Sequence, residues 1–291
     1  RSHRNGYDHA LRAAGARLVE VGVAERTRDP QAWEIEAAIG PRTAALYYGV
    51  GFSPLDLQLV IEVAERNEVP VIVDAAASLP PKRNLNTFMG AGGDLVVFGG
   101  GKALCGPQAS GILCGRRELI ASAALQSWDL DVLGETWNPP ANLIDAKIIS
   151  RGVPNHGIGR SMKVGKEQIV GLMVALERFV KQDEKELRSR LKNTAAKIAG
   201  ELKELEGLGV KLVENPGQWP CVELRVDHQS SAITAIELVQ TLQRGDPAIY
   251  LIEGDAREGL TGIDPFCLQP GEAEKVIAAI QAVWTTRQNA K

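Results

Sequence analysis

The sequence predicts a large α/β domain built on a mostly parallel sheet, followed by a smaller α+β domain at the carboxy terminus. Two observations lead there. Through the first two-thirds of the 291 residues, short β-branched runs alternate with helical stretches long enough to cross between parallel neighbours. Beyond about residue 160 a long helical region leads into strand-like runs interleaved with amphipathic helices. The expected division is 1–180 and 181–291.

Five runs in the first part read as strands: "RLVEVG" (17–22), "AALYYGV" (44–50), "VPVIVDAAA" (69–77), "DLVVFGG" (94–100) and "SGILCG" (110–115). Between them, "QAWEIEAAIG" and "PLDLQLVIEVAERNE" carry apolar residues at helical spacing, with Pro30 and Pro54 at predicted helix starts and Ser53 as a predicted cap. The stretch 161–205 predicts two helices or one bent helix. After it, "VKLVEN", "CVELRVD" and "AIYLIEG" read as strands, and "AITAIELVQTLQR" and "GEAEKVIAAIQAVW" as helices that cover one face. Trp33, Trp128, Trp137, Trp219 and Trp284 are expected to pack helices.

Bulk properties narrow the function class. Hydrophobic residues at 44% and charged residues at 24% are ordinary globular usage, with no continuous apolar span to support a membrane role. A net charge of −3 argues against a surface built to neutralise phosphate backbones, so nucleic acid is not the expected partner. Cys105, Cys114, Cys221 and Cys267 lack metal-ligand spacing, which predicts reduced thiols, no disulfide, no structural metal and a cytoplasmic location. The polar opening "RSHRNGYDHA", with neither an initiator Met nor a signal peptide, predicts that the chain is the later part of a longer protein.

Chemistry is expected just beyond the strands, because ligands of a parallel sheet lie outside its carboxyl ends. Asp74 ends "VPVIVD", and Lys102 follows "DLVVFGGG" 28 residues later, about one strand–helix–strand unit. An acid and an amine in one crevice suit pyridoxal phosphate, which needs a lysine to carry it and a carboxylate to keep its ring nitrogen protonated. Activating such an amine calls for desolvation or a nearby cation. Gly99, Gly100 and Gly101 are expected to let the cofactor lie close against the chain. On spacing alone another account stands beside this one: Asp74 caps a helix and Lys102 is a solvated loop cation. The run "GGGKALCG" fits neither a Walker-type phosphate loop nor a dinucleotide fingerprint.

Three segments, "VIVDAAASLPP", "DLVVFGGGKALCGPQASGILCG" and "HGIGRSMKVGKEQIVGLMVALERF", resemble the fold type I pyridoxal-phosphate enzymes related to bacterial selenocysteine synthase and D-glucosaminate-6-phosphate ammonia-lyase. The resemblance runs through nearly the whole chain and is most specific from Val71 to Phe179. It implies that Lys102 is the Schiff-base lysine, Asp74 the partner of the pyridine nitrogen, and Ala76 a residue under the ring. Gly106, Pro107 and Gln108 match the family's turn after the lysine, with Gln108 among the cofactor-binding positions. The segment "GRSMKVGKE" supplies Arg160, Lys163 and Lys166, and the loop before it His156, as candidates for a substrate or cofactor anion; a solvated helix face explains the cations equally.

Departures from the family pattern are Gly99, where a serine is usual three residues before the lysine, and Ile252 and Phe266, where relatives often carry arginine. The family's amino-terminal portion, with a phosphate-binding loop, is expected to precede Arg1; His3 falls beside that missing part. The implied activity is a lyase acting on a small amino acid or amino sugar acid by α-proton abstraction and β-elimination, in a homodimer or larger assembly. Selenium or sulfur transfer, transamination and racemisation would use the same residues. An interaction protein that keeps the fold without the cofactor is the alternative from another class.

Overall fold

The computed structural model describes residues 7–22, 28–51, 53, 55–144, 152–215, 218–227 and 231–288. Its chain forms two compact units, Arg1–Lys181 and Gln182–Lys291. His3 and Pro54 lie outside the described residues.

In the first unit, helix α1 (Asp8–Ala13) and helix α2 (Ala32–Ala38) precede strand β1 (Leu46–Gly49). Helix α3 (Leu57–Arg66), strand β2 (Val71–Asp74), helix α4 (Asn84–Gly90) and strand β3 (Leu95–Gly99) follow, then strand β4 (Gly111–Gly115), helix α5 (Arg117–Ser127) and helix α6 (Lys166–Lys181). The four strands form one sheet in chain order. β1, β2 and β3 run parallel, and β4 closes the edge antiparallel to β3. That arrangement is the mostly parallel sheet the sequence predicts.

Period-two alternation separates the faces of this sheet. Val71 and Val73 of β2 and Val96 and Phe98 of β3 are buried against Val60, Ile61, Val63 and Ala64 of α3 and Phe88 of α4. β-branched side chains suit this position because they pack well on a pleated surface. The other face carries Tyr47, Ile72, Asp74, Leu95 and Val97, none of them fully buried. At the entry to the strands, Asp94 accepts from the Val71 amide (2.8 Å) and pairs with Arg116 (3.0 Å), tying β2 to β3.

Local details correct four expectations. Residues 17–22 are not a strand: Val19 is exposed, Val21 alone turns to the core, and the segment has no ladder partner among the described residues. Ser53 is not the cap of α3; Asp56 is, accepting from the Gln58 amide at 3.2 Å, because it stands directly before the first helical residue. Pro30 lies two residues ahead of α2, whose start is closed instead by Glu34 accepting from the Gln31 amide. Trp33 is exposed rather than packed, since it faces away from the side on which Ile35 is buried.

The second unit packs helix α7 (Glu184–Leu202), helix α8 (Ala235–Gln243) and helix α9 (Glu272–Gln288) with a three-stranded antiparallel sheet of β5 (Leu208–Val213), β6 (Cys221–Val226) and β7 (Leu260–Ile263). The stretch 161–205 thus resolves into two helices, α6 and α7. Trp284 is the largest side chain in this core, and its indole donates to the Glu206 carbonyl at 3.0 Å. The expected strand at "AIYLIEG" is reduced to one bridge, Ile252 with Gly262. β7 takes the free edge of β6 instead, entered through Gly259 at φ 81°, a left-handed turn that glycine makes without strain.

Truncating the ring at the centre of the first core tests this packing. Phe98→Ala is expected to cost about 3–5 kcal/mol of unfolding free energy, measured by urea denaturation with an unchanged slope.

Candidate functional site

The register of β1 on β2 brings the first pair of polar groups together. Gly49 stands opposite Asp74, and Tyr47 opposite Ile72. Since alternate residues share a face, Tyr47 and Asp74 lie on the same side of the sheet, two residues apart along it, or about 6.6 Å. A tyrosine side chain spans that interval, and Gly49 interposes no side chain. The Tyr47 hydroxyl donates to Asp74 Oδ2 at 2.5 Å, and the Ala76 amide donates to Asp74 Oδ1 at 3.1 Å. Burial first, and the Asp74 carboxylate second, push the Tyr47 hydroxyl pKa well up, so it stays protonated. Tyr48, facing the other way, donates to the Leu55 carbonyl at 2.9 Å.

Lys102 stands in the loop between β3 and β4, and this loop folds tightly on itself. The Gly100 amide bonds to the Ser110 carbonyl (2.9 Å), Gly106 to Gly100 (2.8 Å), and Cys105 to Lys102 (2.8 Å). Leu104 is buried and anchors the segment. The three glycines are bare for the chain's own sake. A Cβ on Gly99 would stand 2.9 Å from the Ala76 carbonyl, one on Gly100 would strike Ser110, and one on Gly101 would come within 2.5 Å of Gln108 Oε1. The neighbouring backbone and Gln108 occupy the positions that side chains on these glycines would take. Helix α6 braces the loop from outside, with Leu172 and Ala175 against Gly106 and Gly171 against Pro107.

The Ala76 carbonyl accepts from the Gly99 amide at 3.3 Å, which joins the turn after Asp74 to the stem of the Lys102 loop. Lys102 itself is exposed. Its ammonium lies 5.7 Å from the centroid of the Tyr7 ring, at the start of α1. Gln108 turns back on the loop, its amide donating to the Gly101 carbonyl at 3.2 Å.

The basic segment is organised around a different acid. Asp129 accepts from the His156 amide at 3.0 Å and forms an ion pair with Arg160. The His156 amide bond, then Arg160, holds the Asp129 carboxyl below its ordinary range. Lys163 follows the 3-10 turn Ile158–Met162, and Lys166 opens α6. Among the described residues, no hydrogen bond or ion pair joins His156, Arg160, Lys163 or Lys166 to Asp74 or Lys102. In the second unit, Phe266 stacks on Trp219 at 5.9 Å with an 11° angle between the rings, and Ile252 is exposed.

Two residues in contact with the candidate groups escape sequence reasoning, Tyr47 and Tyr7. The signal for Tyr47 is its spacing in "YYG": the period of two sets it apart from Tyr48, and the glycine after them keeps the way clear. Tyr7 carries no such signal.

The Asp129 contacts have a testable pH dependence. A carboxyl whose pKa is depressed on folding contributes above its unfolded value and loses that contribution as pH falls through the folded one. Protection of the His156 amide from hydrogen exchange is therefore expected to be full at neutral pH and to fall only below the usual carboxylate range. Asp129→Asn should weaken that protection at neutral pH, read by exchange mass spectrometry.

Comparison with known proteins places these features. Residues 8–130 match the family model described as L-seryl-tRNA selenium transferase. Over 283 residues the chain is 28% identical to D-glucosaminate-6-phosphate ammonia lyase of Salmonella typhimurium, covering 94% of this chain and 65% of that protein. It is also 28% identical over 275 residues to a 5'-C-glycyluridine monooxygenase-decarboxylase of a Streptomyces species, covering 92% and 60%. The chain thus spans somewhat under two-thirds of the length of these relatives. A solved D-glucosaminate-6-phosphate ammonia-lyase superimposes with a TM-score of 0.72 at 26% identity, over 97% of this chain and 67% of that one. By these matches and by its sheet topology, the chain shares the fold type I scaffold of the selenium transferase and D-glucosaminate-6-phosphate ammonia-lyase group, the resemblance read from its sequence.

Proposed function

We propose that the protein is a pyridoxal-phosphate-dependent lyase that removes an α-proton and a β-leaving group from a small amino acid or amino sugar acid, with loss of ammonia. The observation that carries this reading is the placement of Asp74 at, and Lys102 just beyond, the carboxyl ends of adjacent parallel strands, in a chain similar to an ammonia-lyase over 94% of its length. The donor set suits the cofactor. Asp74 uses one acceptor position on each oxygen and keeps others for a ring N–H. Ala76 is small and its amide holds Asp74 Oδ1, and Lys102 offers an exposed amine on a braced loop.

When bound, the cofactor supplies an electron sink for charge that develops at the substrate α-carbon. The roles assigned to the chain are these. Asp74 holds a proton at the ring nitrogen. Lys102 Nζ would hold the cofactor and would serve as the general base that takes up the α-proton. The backbone of Gly99, Gly100 and Gly101, with Gln108 folded on Gly101, fixes the stem from which Lys102 reaches. Lys163 and Lys166 are the cations proposed to meet an anionic group of substrate or cofactor. Arg160 and His156 are further candidates for that anion, Arg160 while paired with Asp129 and His156 with its amide on the same carboxylate. Residues 1–180 form the proposed cofactor-binding domain and 181–291 the small domain.

Selenium transfer to a seryl-tRNA is the second reading, favoured by the family model over residues 8–130. The net charge of −3 weighs against a tRNA partner. The proposed setting is cytoplasmic, in a homodimer or larger assembly. No helix among the described residues is long and apolar enough to cross a membrane.

Two experiments test the assignment. Borohydride reduction of the protein with pyridoxal phosphate, followed by peptide mapping, is expected to place the pyridoxyl group on the peptide containing Lys102; a label on Lys163 or Lys166 would overturn that role. Asp74→Asn is expected to leave the cofactor attached while slowing turnover by about 100-fold or more, because a neutral amide does not favour the protonated ring nitrogen. Unchanged kcat in the loaded variant would remove Asp74 from the mechanism. A protein that takes up no cofactor at all would instead favour the interaction-protein reading.

A further inference from the structure

We infer that Tyr47 is a positioning residue for Asp74, holding the carboxylate in the orientation in which it meets the cofactor ring nitrogen; this rests on the proposed role of Asp74. The geometry is a two-point clamp. Oδ1 is held from its own strand end by the Ala76 amide at 3.1 Å, and Oδ2 from the neighbouring strand by the Tyr47 hydroxyl at 2.5 Å. The second distance lies in the range of charge-assisted O–H···O⁻ bonds, which are stronger than neutral ones. With both oxygens held, neither rotation about the side-chain bonds nor exchange of the two oxygens is free.

The clamp is built by the sheet rather than by a flexible loop. β1 pairs with β2 over four consecutive residues, so the root of Tyr47 is fixed relative to the root of Asp74. Tyr47 is also suited to serve only as a donor. Its pKa is pushed up by burial and by the Asp74 charge, and the charge of Asp8 acts in the same direction. The phenol therefore stays protonated well above the ordinary tyrosine range. Its neighbour Tyr48 bonds a backbone carbonyl, as a tyrosine with a purely structural role does. Tyr47 is instead 38% exposed, on the face that carries Asp74. Its hydroxyl donates to the Asp74 carboxylate rather than to backbone.

Removing the hydroxyl leaves one anchor and lets Oδ2 turn toward water, so the ring N–H finds its acceptor correctly oriented for less of the time. The test compares pyridoxal phosphate with 1-deazapyridoxal phosphate, whose ring carries C–H in place of the pyridine nitrogen. Equilibrium binding of both is followed by absorbance in the unaltered protein, Tyr47→Phe and Asp74→Asn. The unaltered protein is expected to prefer pyridoxal phosphate, and Tyr47→Phe to lower that preference on the order of tenfold while binding the deaza compound as before. Retained deaza binding also shows that the variant is folded. An unchanged preference, or an equal loss for both compounds, would overturn the role of Tyr47 while leaving that of Asp74 intact. A preference that survives Asp74→Asn, or no binding of either compound by the unaltered protein, would overturn the reading of the site and the role of Tyr47 with it.

Discussion

Strand β2 pairs on both sides with parallel neighbours, and this double ladder fixes what stands where at the carboxyl ends of the sheet. Asp74 is the last residue of β2. Its partner on one side, Gly49, lacks a side chain, which clears the path from Tyr47; on the other side β3 continues directly into the loop that carries Lys102. The core beneath is made of valines and phenylalanines whose burial holds the strands against α3 and α4. Packing on one face of the sheet therefore sets the geometry of polar groups on the other.

The loop after β3 shows the same economy. A lysine on a free loop would sweep a wide volume, and positioning is a large part of what a catalytic scaffold contributes. Here the loop closes on itself through backbone bonds from Gly100 to Ser110 and from Gly106 to Gly100, and α6 packs across it. Three adjacent glycines allow that closure because their neighbours come within contact of where Cβ atoms would stand. The stem is thereby rigid and the amine at its tip exposed.

Much of this was legible in the sequence. Strands β1 to β4 follow from β-branched runs at spacing fit for crossovers, and Asp74 and Lys102 follow from the rule that places ligands beyond strand ends. What the sequence hid depends on contacts between distant residues. The glycine run suggests a close approach but does not say by what, and the partners are Ala76, Ser110 and Gln108. Tyr47 and Tyr48 look alike until the register assigns them to opposite faces. Arg160 reads as an available cation until Asp129, 31 residues earlier, is seen beside it. The reduction of the expected strand at 248–254 to one bridge is of the same kind, since only the fold shows that β7 lies between that segment and β6.

Asp94, at the opposite end of the strands from Asp74, gains a different significance from this arrangement. By bonding the Val71 amide and Arg116 it locks the starting alignment of β2 against β3. A shift of one residue would exchange the faces of the whole strand, turning Val73 outward and Asp74 into the core. That misaligned state would bury the Asp74 carboxylate without a partner, a costly arrangement, so the ties made by Asp94 at the foot of the sheet and the chemistry of Asp74 at its head both favour the one alignment that keeps the acid on the open face.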